Sequence, residues 1–181
     1  ARNADPMSSK LSLRVTAAPT KIDTRDCNAL HPGGCRRPPS TVAVADPPTA
    51  IAVDRATHTA YVAGSRIGAD AGSVSVLDTR TCHAQSSGCT VVGTLQVTAG
   101  SPTAIAVNSA TGTVYVGTAT SGGANRVSVF NGAVCNAATT TGCNQPAALM
   151  TVGATDGCSF VAVAVIETSN TIFHGISSRQ H

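Results

Sequence analysis

The hexapeptide PTAIAV occurs at 48–53 and again at 102–107. The recurrence extends well beyond it. Thr59-Ala60-Tyr61-Val62 returns as Thr113-Val114-Tyr115-Val116, and Val74-Ser75-Val76-Leu77-Asp78 returns as Val127-Ser128-Val129-Phe130-Asn131. Cys82 and Cys89 return as Cys135 and Cys143. A repeat of this length, made of short alternating apolar runs, specifies an array of similar small sheets. It constrains architecture far more than activity.

One unit can be followed strand by strand. Ala50–Val53 is a short apolar strand entered through Pro47 and Pro48, which suit an entrance because proline donates nothing to a central ladder. Residues 54–58 read as a turn, Thr59–Ala63 as a second strand, 64–72 as a longer loop and Ser73–Asp78 as an alternating third strand. A loop bounded by Cys82 and Cys89 precedes a fourth strand, Thr90–Val97. A second unit runs from Pro102 to about Val152. A third begins after Cys158, with Val161–Val165 in place of TAIAV and Thr171-Ile172-Phe173 in place of Thr113-Val114-Tyr115. Upstream, Lys21–Cys27 matches Val76–Cys82, so residues 21–44 supply the second half of an earlier unit.

Four short antiparallel strands joined by tight turns describe a propeller blade. The expected class is all-β: β-propeller blades of four antiparallel strands, with two, four, four and two strands in order, about three blades' worth per chain. Closed rings usually hold about four to eight blades. The expectation is therefore a partial propeller, or half of a six-bladed ring completed by self-association through open half-blade edges. A piece of a longer propeller, or an open array held in an assembly, remains an alternative. The domain reading is a leader over 1–20, partly disordered, propeller repeats over 21–176 and a tail over 177–181. PTAIAV falls on the innermost strand of each blade.

The phrases AIAVDRATHTAYVAG and SVSVLDTRTC resemble the YVTN-type β-propeller repeat, the family of YncE-like and surface-layer propellers. That pattern runs xgIAV, TnTvYVtN, VsVIDtaT; Gly64 and Thr118 stand near its Asn position. The longer Cys-bearing loops resemble actinobacterial secreted versions. The resemblance covers about residues 21–176 and implies the fold. It leaves activity open, because propellers host binding, scaffolding and many enzymes.

Composition agrees with thin β layers. The chain has 181 residues, enough for one ordinary domain, but no Trp, two Tyr and three Phe, so Ala and Val must fill the core. Six of the seven Cys form local pairs: Cys27/Cys35, Cys82/Cys89 and Cys135/Cys143. The intervening CNALHPGGC, CHAQSSGC and CNAATTTGC are too long for zinc-ligand pairs, and no Cys-x-x-Cys occurs. They read as three disulfides, each clipping the neck of a hairpin loop and contributing about 2–3 kcal/mol in the loop-entropy model. Persisting disulfides place the chain in an oxidising compartment, extracellular or at the cell surface. Cys158 is left over, unpaired by this reading, as a buried thiol or an intermolecular bridge.

Net charge is +3, with seven of the twelve basic residues within residues 1–37. A basic N-terminal part can touch nucleic acid or an anionic surface, but it reads more simply as a solvated leader. Aromatics that would stack bases are nearly absent, so nucleic acid is not the expected partner, in contrast to the DNA binding of some YncE-like relatives. No apolar run spans a membrane. The chain opens at Ala1 without a signal-peptide pattern, which leads us to expect a sequence already trimmed.

Chemistry-bearing residues are scattered. His31 and His83 lie in Cys loops, where blade stacking can bring them together, although exposed loop histidine is the simpler reading; His58, His174 and His181 share no metal-ligand spacing. Glu167 is the only Glu. Asp54 and Asp78 lie at strand ends, where a propeller rim can hold Ca²⁺, yet they become Asn108 and Asn131 in the next unit. That exchange suits Asx turns. Gly122 and Gly123 precede no helix, so they cradle no phosphate. No nucleophile elbow or Walker loop occurs. We expect no metal or cofactor and no catalytic constellation, hence a binding or scaffolding module whose rim loops, including 64–72, 118–125 and the three Cys loops, face a protein or carbohydrate ligand of unknown identity. The alternatives are a propeller-type hydrolase or lactonase with a central-channel site, and a structural subunit of an extracellular assembly.

Overall fold

The structure, a computed structural model, describes residues 18–36, 40–86, 88–123, 125–152 and 158–178. Alternating β-branched runs form short strands wherever one face can be covered. In chain order these are β1 (Thr20–Lys21), β2 (Ser40–Thr41), β3 (Pro48–Asp54), β4 (Thr59–Ser65), β5 (Gly72–Asp78), β6 (Val91–Val97), β7 (Ser101–Asn108), β8 (Thr113–Ala119), β9 (Asn125–Asn131), β10 (Ala148–Thr151), β11 (Cys158–Ile166) and β12 (Thr171–Ser178). All pairing is antiparallel and sequential: β3-β4-β5-β6 and β7-β8-β9-β10 are complete blades, flanked by the pairs β1-β2 and β11-β12. The result is an all-β array of propeller-like blades that does not close.

PTAIAV has a specific backbone consequence. In β3 the register runs from Pro48↔Gly64 to Ala50↔Ala63 and skips Thr49; in β7 it skips Thr103 in the same way. A proline that cannot donate makes a bulge there inexpensive. The displaced threonine supplies a replacement bond: Thr49 Oγ1 donates to the Ala63 carbonyl, and Thr103 Oγ1 to that of Gly117, both at 3.2 Å. In β11 the register skips Val161. The third copy thus keeps the bulge after losing both proline and threonine.

The hairpin that follows is also conserved in form. His58 (φ 54°), Gly112 (φ 60°) and Asn170 (φ 49°) occupy the same position, and all are left-handed. Asp54 and Asn108 open these turns by accepting the amides of Ala56 (2.9 Å) and Ala110 (3.0 Å). The third unit has Ile166 there, and a short 3-10 turn, Glu167–Ser169, replaces the side-chain bond.

β7 packs against β3 and β4 on one side and against β11 on the other, so the PTAIAV strands lie side by side at the inner end of each blade. The main core lies between the two complete blades: Tyr61, Ala63, Val74, Val76 and Leu95 meet Ile105, Val114, Val116 and Phe130. Burying one such side chain contributes about 1.5–3 kcal/mol. A second cluster sets Val42 and Val44 against Val62 and Leu77, and a third sets Ala104, Tyr115 and Val127 against Val163 and Ile172.

The N-terminal half-blade is shorter than the repeat alignment predicts. β1 and β2 pair through two residues each, Thr20↔Thr41 and Lys21↔Ser40, and Ile22 is exposed. Residues 1–17 of the expected leader, and 179–181 including His181, lie outside the described residues. Cys158 is the first residue of β11, opposite Ser178, rather than a residue ahead of the strand; its side chain and its pairing lie outside the described residues.

Candidate functional site

Two surfaces carry the loops, one at each end of the strands. The first holds the cysteines. Disulfides join Cys27 to Cys35, Cys82 to Cys89 and Cys135 to Cys143, with Cα–Cα distances of 4.5, 4.6 and 4.8 Å. Each closes the loop between the third and fourth strand positions of a blade: β1–β2, β5–β6 and β9–β10. Such bonds persist in oxidising compartments.

Each of the two later clipped loops leans on the unit before it. Lys21 Nζ donates to the Ser86 carbonyl at 2.6 Å, and Gln85 Nε2 donates to the Asp23 carboxylate. In the next loop the Ala137 amide donates to Thr59 Oγ1 at 2.9 Å, and the Tyr61 hydroxyl donates to the Cys135 carbonyl at 2.8 Å. Burial pushes the Tyr61 phenol up to about 12. Asn136 fastens the same loop internally: its Nδ2 donates to the carbonyls of Gly132 and Ala133, and its Oδ1 accepts the amides of Ala138 and Thr139. Cys135 and Cys143 are buried, whereas the Cys27–Cys35 loop is exposed, with Leu30 open to solvent.

At the opposite rim, the β4–β5 and β8–β9 loops meet. Asp70 accepts from the Ser121 amide at 3.0 Å and its hydroxyl at 2.7 Å. Those two bonds hold its carboxyl below the ordinary carboxylate range. Arg66 pairs with Asp46 at 3.6 Å, and Ser101 Oγ donates to the Ala69 carbonyl at 3.1 Å. Ser65, Arg66, Ile67, Asp70, Ser101 and Ser121 surround an open depression of about 570 Å³, with Ile67 projecting into solvent. The loops 64–72 and 118–125 are thus brought together, cross-linked by Asp70. The sequence carries no periodic signal for that contact, because Asp70 has no counterpart in the second unit.

The candidate acids serve as turn formers. Asp23 accepts the Arg25 amide (3.0 Å), Asp78 the Arg80 amide (2.9 Å) and Asn131 the Ala133 amide (2.9 Å), as Asp54 and Asn108 do in their own turns. The Arg25 backbone and side-chain bonds lower Asp23, and the Arg80 side-chain and backbone bonds lower Asp78. Glu167 accepts the Ser109 amide at 2.8 Å, tying the third unit to the second. Thr118 is buried and donates to the Ala99 carbonyl at 3.1 Å. His31, His58, His83 and His174 are exposed on separate elements. Among the described residues, no three His, Cys, Asp or Glu side chains are grouped to hold a metal ion. Nor is any described helix long and apolar enough to cross a membrane.

No family model and no curated protein matches the chain.

Proposed function

We propose that the chain is a secreted or cell-surface β-propeller module of the YVTN type that works by binding or scaffolding. The observation that carries this reading is how its carboxylates are used. Asp23, Asp54, Asp78 and Glu167 each accept a backbone amide that shapes a turn or joins two units, and Asp70 bridges two loops. Each such bond commits lone pairs that a substrate proton or a cation would otherwise use. The loops 64–72 and 118–125, cross-linked through Asp70 and Ser121 at the rim opposite the disulfides, instead present a preformed surface, which lowers the ordering cost of binding.

The test pairs a binding screen with a turnover screen. Soluble polysaccharides and extracellular-matrix peptides are titrated into isotopically labelled protein. The expected result is amide shifts confined to residues 66–71 and 120–123, lost in Ile67→Asp. Chromogenic esters and lactones, with and without Ca²⁺, are expected to turn over at the buffer rate. Saturable hydrolysis above that rate would overturn the proposal in favour of a hydrolase.

A further inference from the structure

The inner strands of the first and last units expose complementary faces. Along β3, Thr49, Ile51 and Val53 point one way and Ala50 and Ala52 the other. Ala50 and Ala52, with Tyr61 and Ala63, pack on the second blade, where they cover Ile105 and Val107. The second blade repeats the device: Ala104 and Tyr115 meet Val163 of β11. At both internal interfaces, then, an Ala-Ala-aromatic face receives the branched residues of the next unit's inner strand.

Each half of that interface recurs once more without a partner among the described residues. Ile51, the counterpart of Ile105, is 60% exposed where Ile105 is 8% exposed, and Val53 is 53% exposed. On the last unit, Ala164 lies opposite Phe173, as Ala52 lies opposite Tyr61 and Ala106 opposite Tyr115. Ala162 and Ala164 are exposed, and Phe173 is 56% exposed. Scattered apolar side chains on a surface need no explanation, but two faces that are the two halves of a contact already made twice in the same molecule do.

We propose that a second copy of this chain covers both faces, head to tail. The Ala162/Ala164/Phe173 face of one copy seats on Ile51 and Val53 of the other, repeating the β3–β7 interface. The same step sets β12 beside β1 of the partner, so that β11-β12 and the partner's β1-β2 make one four-stranded blade. A head-to-tail contact closes into a ring when its rotation divides a full turn. Two copies of about three blades each give six, within the usual range of about four to eight. The contact stands independently of what the rim loops bind.

Light scattering on the full chain tests this. The expected mass is about twice the monomer's 18.0 kDa at micromolar concentration. Ile51→Asp and Phe173→Asp each place a charge in both copies of the contact and should weaken association at least tenfold, roughly the cost of one central interface residue. Both positions are exposed, so circular dichroism should stay at wild-type values in the monomer, and melting should match that of the wild type diluted until it dissociates. Mixing the two variants leaves one of the two contacts intact, so a mixed dimer should reappear. A wild-type monomer at tens of micromolar, as expected if another chain or segment covers these faces, overturns the proposal; so do variants that dimerise as the wild type does.

Discussion

The Tyr61 hydroxyl, on the second strand of one blade, donates to the backbone carbonyl of Cys135, the first residue of the next blade's clipped loop, at 2.8 Å. The two residues are far apart in sequence, and both are fully buried. The bond joins two features that the repeat generates separately, the Thr-x-Tyr-Val strand and the disulfide-closed loop. The largest buried side chain of the core thereby also holds the loop in place.

Tyr61→Phe should lower stability by about 1–2 kcal/mol, because it keeps the ring but leaves the Cys135 carbonyl buried without that donor. The pH dependence gives a second readout. The folded phenol sits near 12, above its ordinary 10.0, so its contribution is complete below pH 10 and is lost as pH rises through 12. Denaturant melts across that window should show a decline in the wild type that is shallower in the Phe variant. Equal slopes would mean that Tyr61 ionises as readily in the folded chain as in the unfolded one.

The blades were legible because apolar alternation and the repeat agree. Val74-Ser75-Val76 can be a half-buried strand, and its second copy confirms the register. The Asx turns were legible too, since an Asp54-to-Asn108 exchange keeps the acceptor and discards the charge. Other features were not. The bulge at Thr49 has no residue type that marks it, since β11 keeps it at Val161 with neither proline nor threonine, and the Asp70–Ser121 bridge joins residues whose loops follow no period. The N-terminal half-blade was legible as a pair of strands but not in its length: Lys21–Cys27 matches the third strand by pattern, yet β1 and β2 pair through two residues each. Repeats transmit strand patterns; contacts between unlike loops arise only from packing.

The left-handed turn position offers a test of backbone strain. His58 holds φ 54° where the second unit has glycine. Left-handed backbone costs a residue with a Cβ roughly 1–2 kcal/mol, part of which glycine returns through its freer unfolded chain. His58→Gly should therefore raise stability by about 0.5–1 kcal/mol. His58→Val should lower it by at least about 1 kcal/mol, since a β-branched residue is poorly tolerated there. Melting temperatures in the order Gly, His, Val would bear this out, and any other order would not.

Asp70 predicts a response to acid. Its hydrogen bonds from Ser121 depress the carboxyl below the ordinary 3.8, so its stabilising contribution is complete above that value and is lost as pH falls through the lower folded value. Asp70→Asn should be less stable than the wild type at neutral pH, and the two curves should converge as pH falls through the lowered folded value, below which both side chains are neutral. A gap that persists undiminished in acid would place the effect elsewhere.

Gly93 shows how tightly the clipped loop seats. It lies on the outer strand of the first complete blade, and a Cβ there would come within 2.5 Å of Cys143 Sγ and 3.4 Å of Cys143 Cβ. Gly93→Ala should cost roughly 1–3 kcal/mol, because the sulfur is fixed in a disulfide and cannot rotate away. Replacing Cys135 and Cys143 together with alanine removes the sulfur and releases the loop. In that background the same Gly93→Ala change should cost less than half as much. The double-mutant cycle therefore has a coupling term of at least about 0.5–1.5 kcal/mol. Additive costs would mean that the strand, rather than the disulfide, rejects the methyl group.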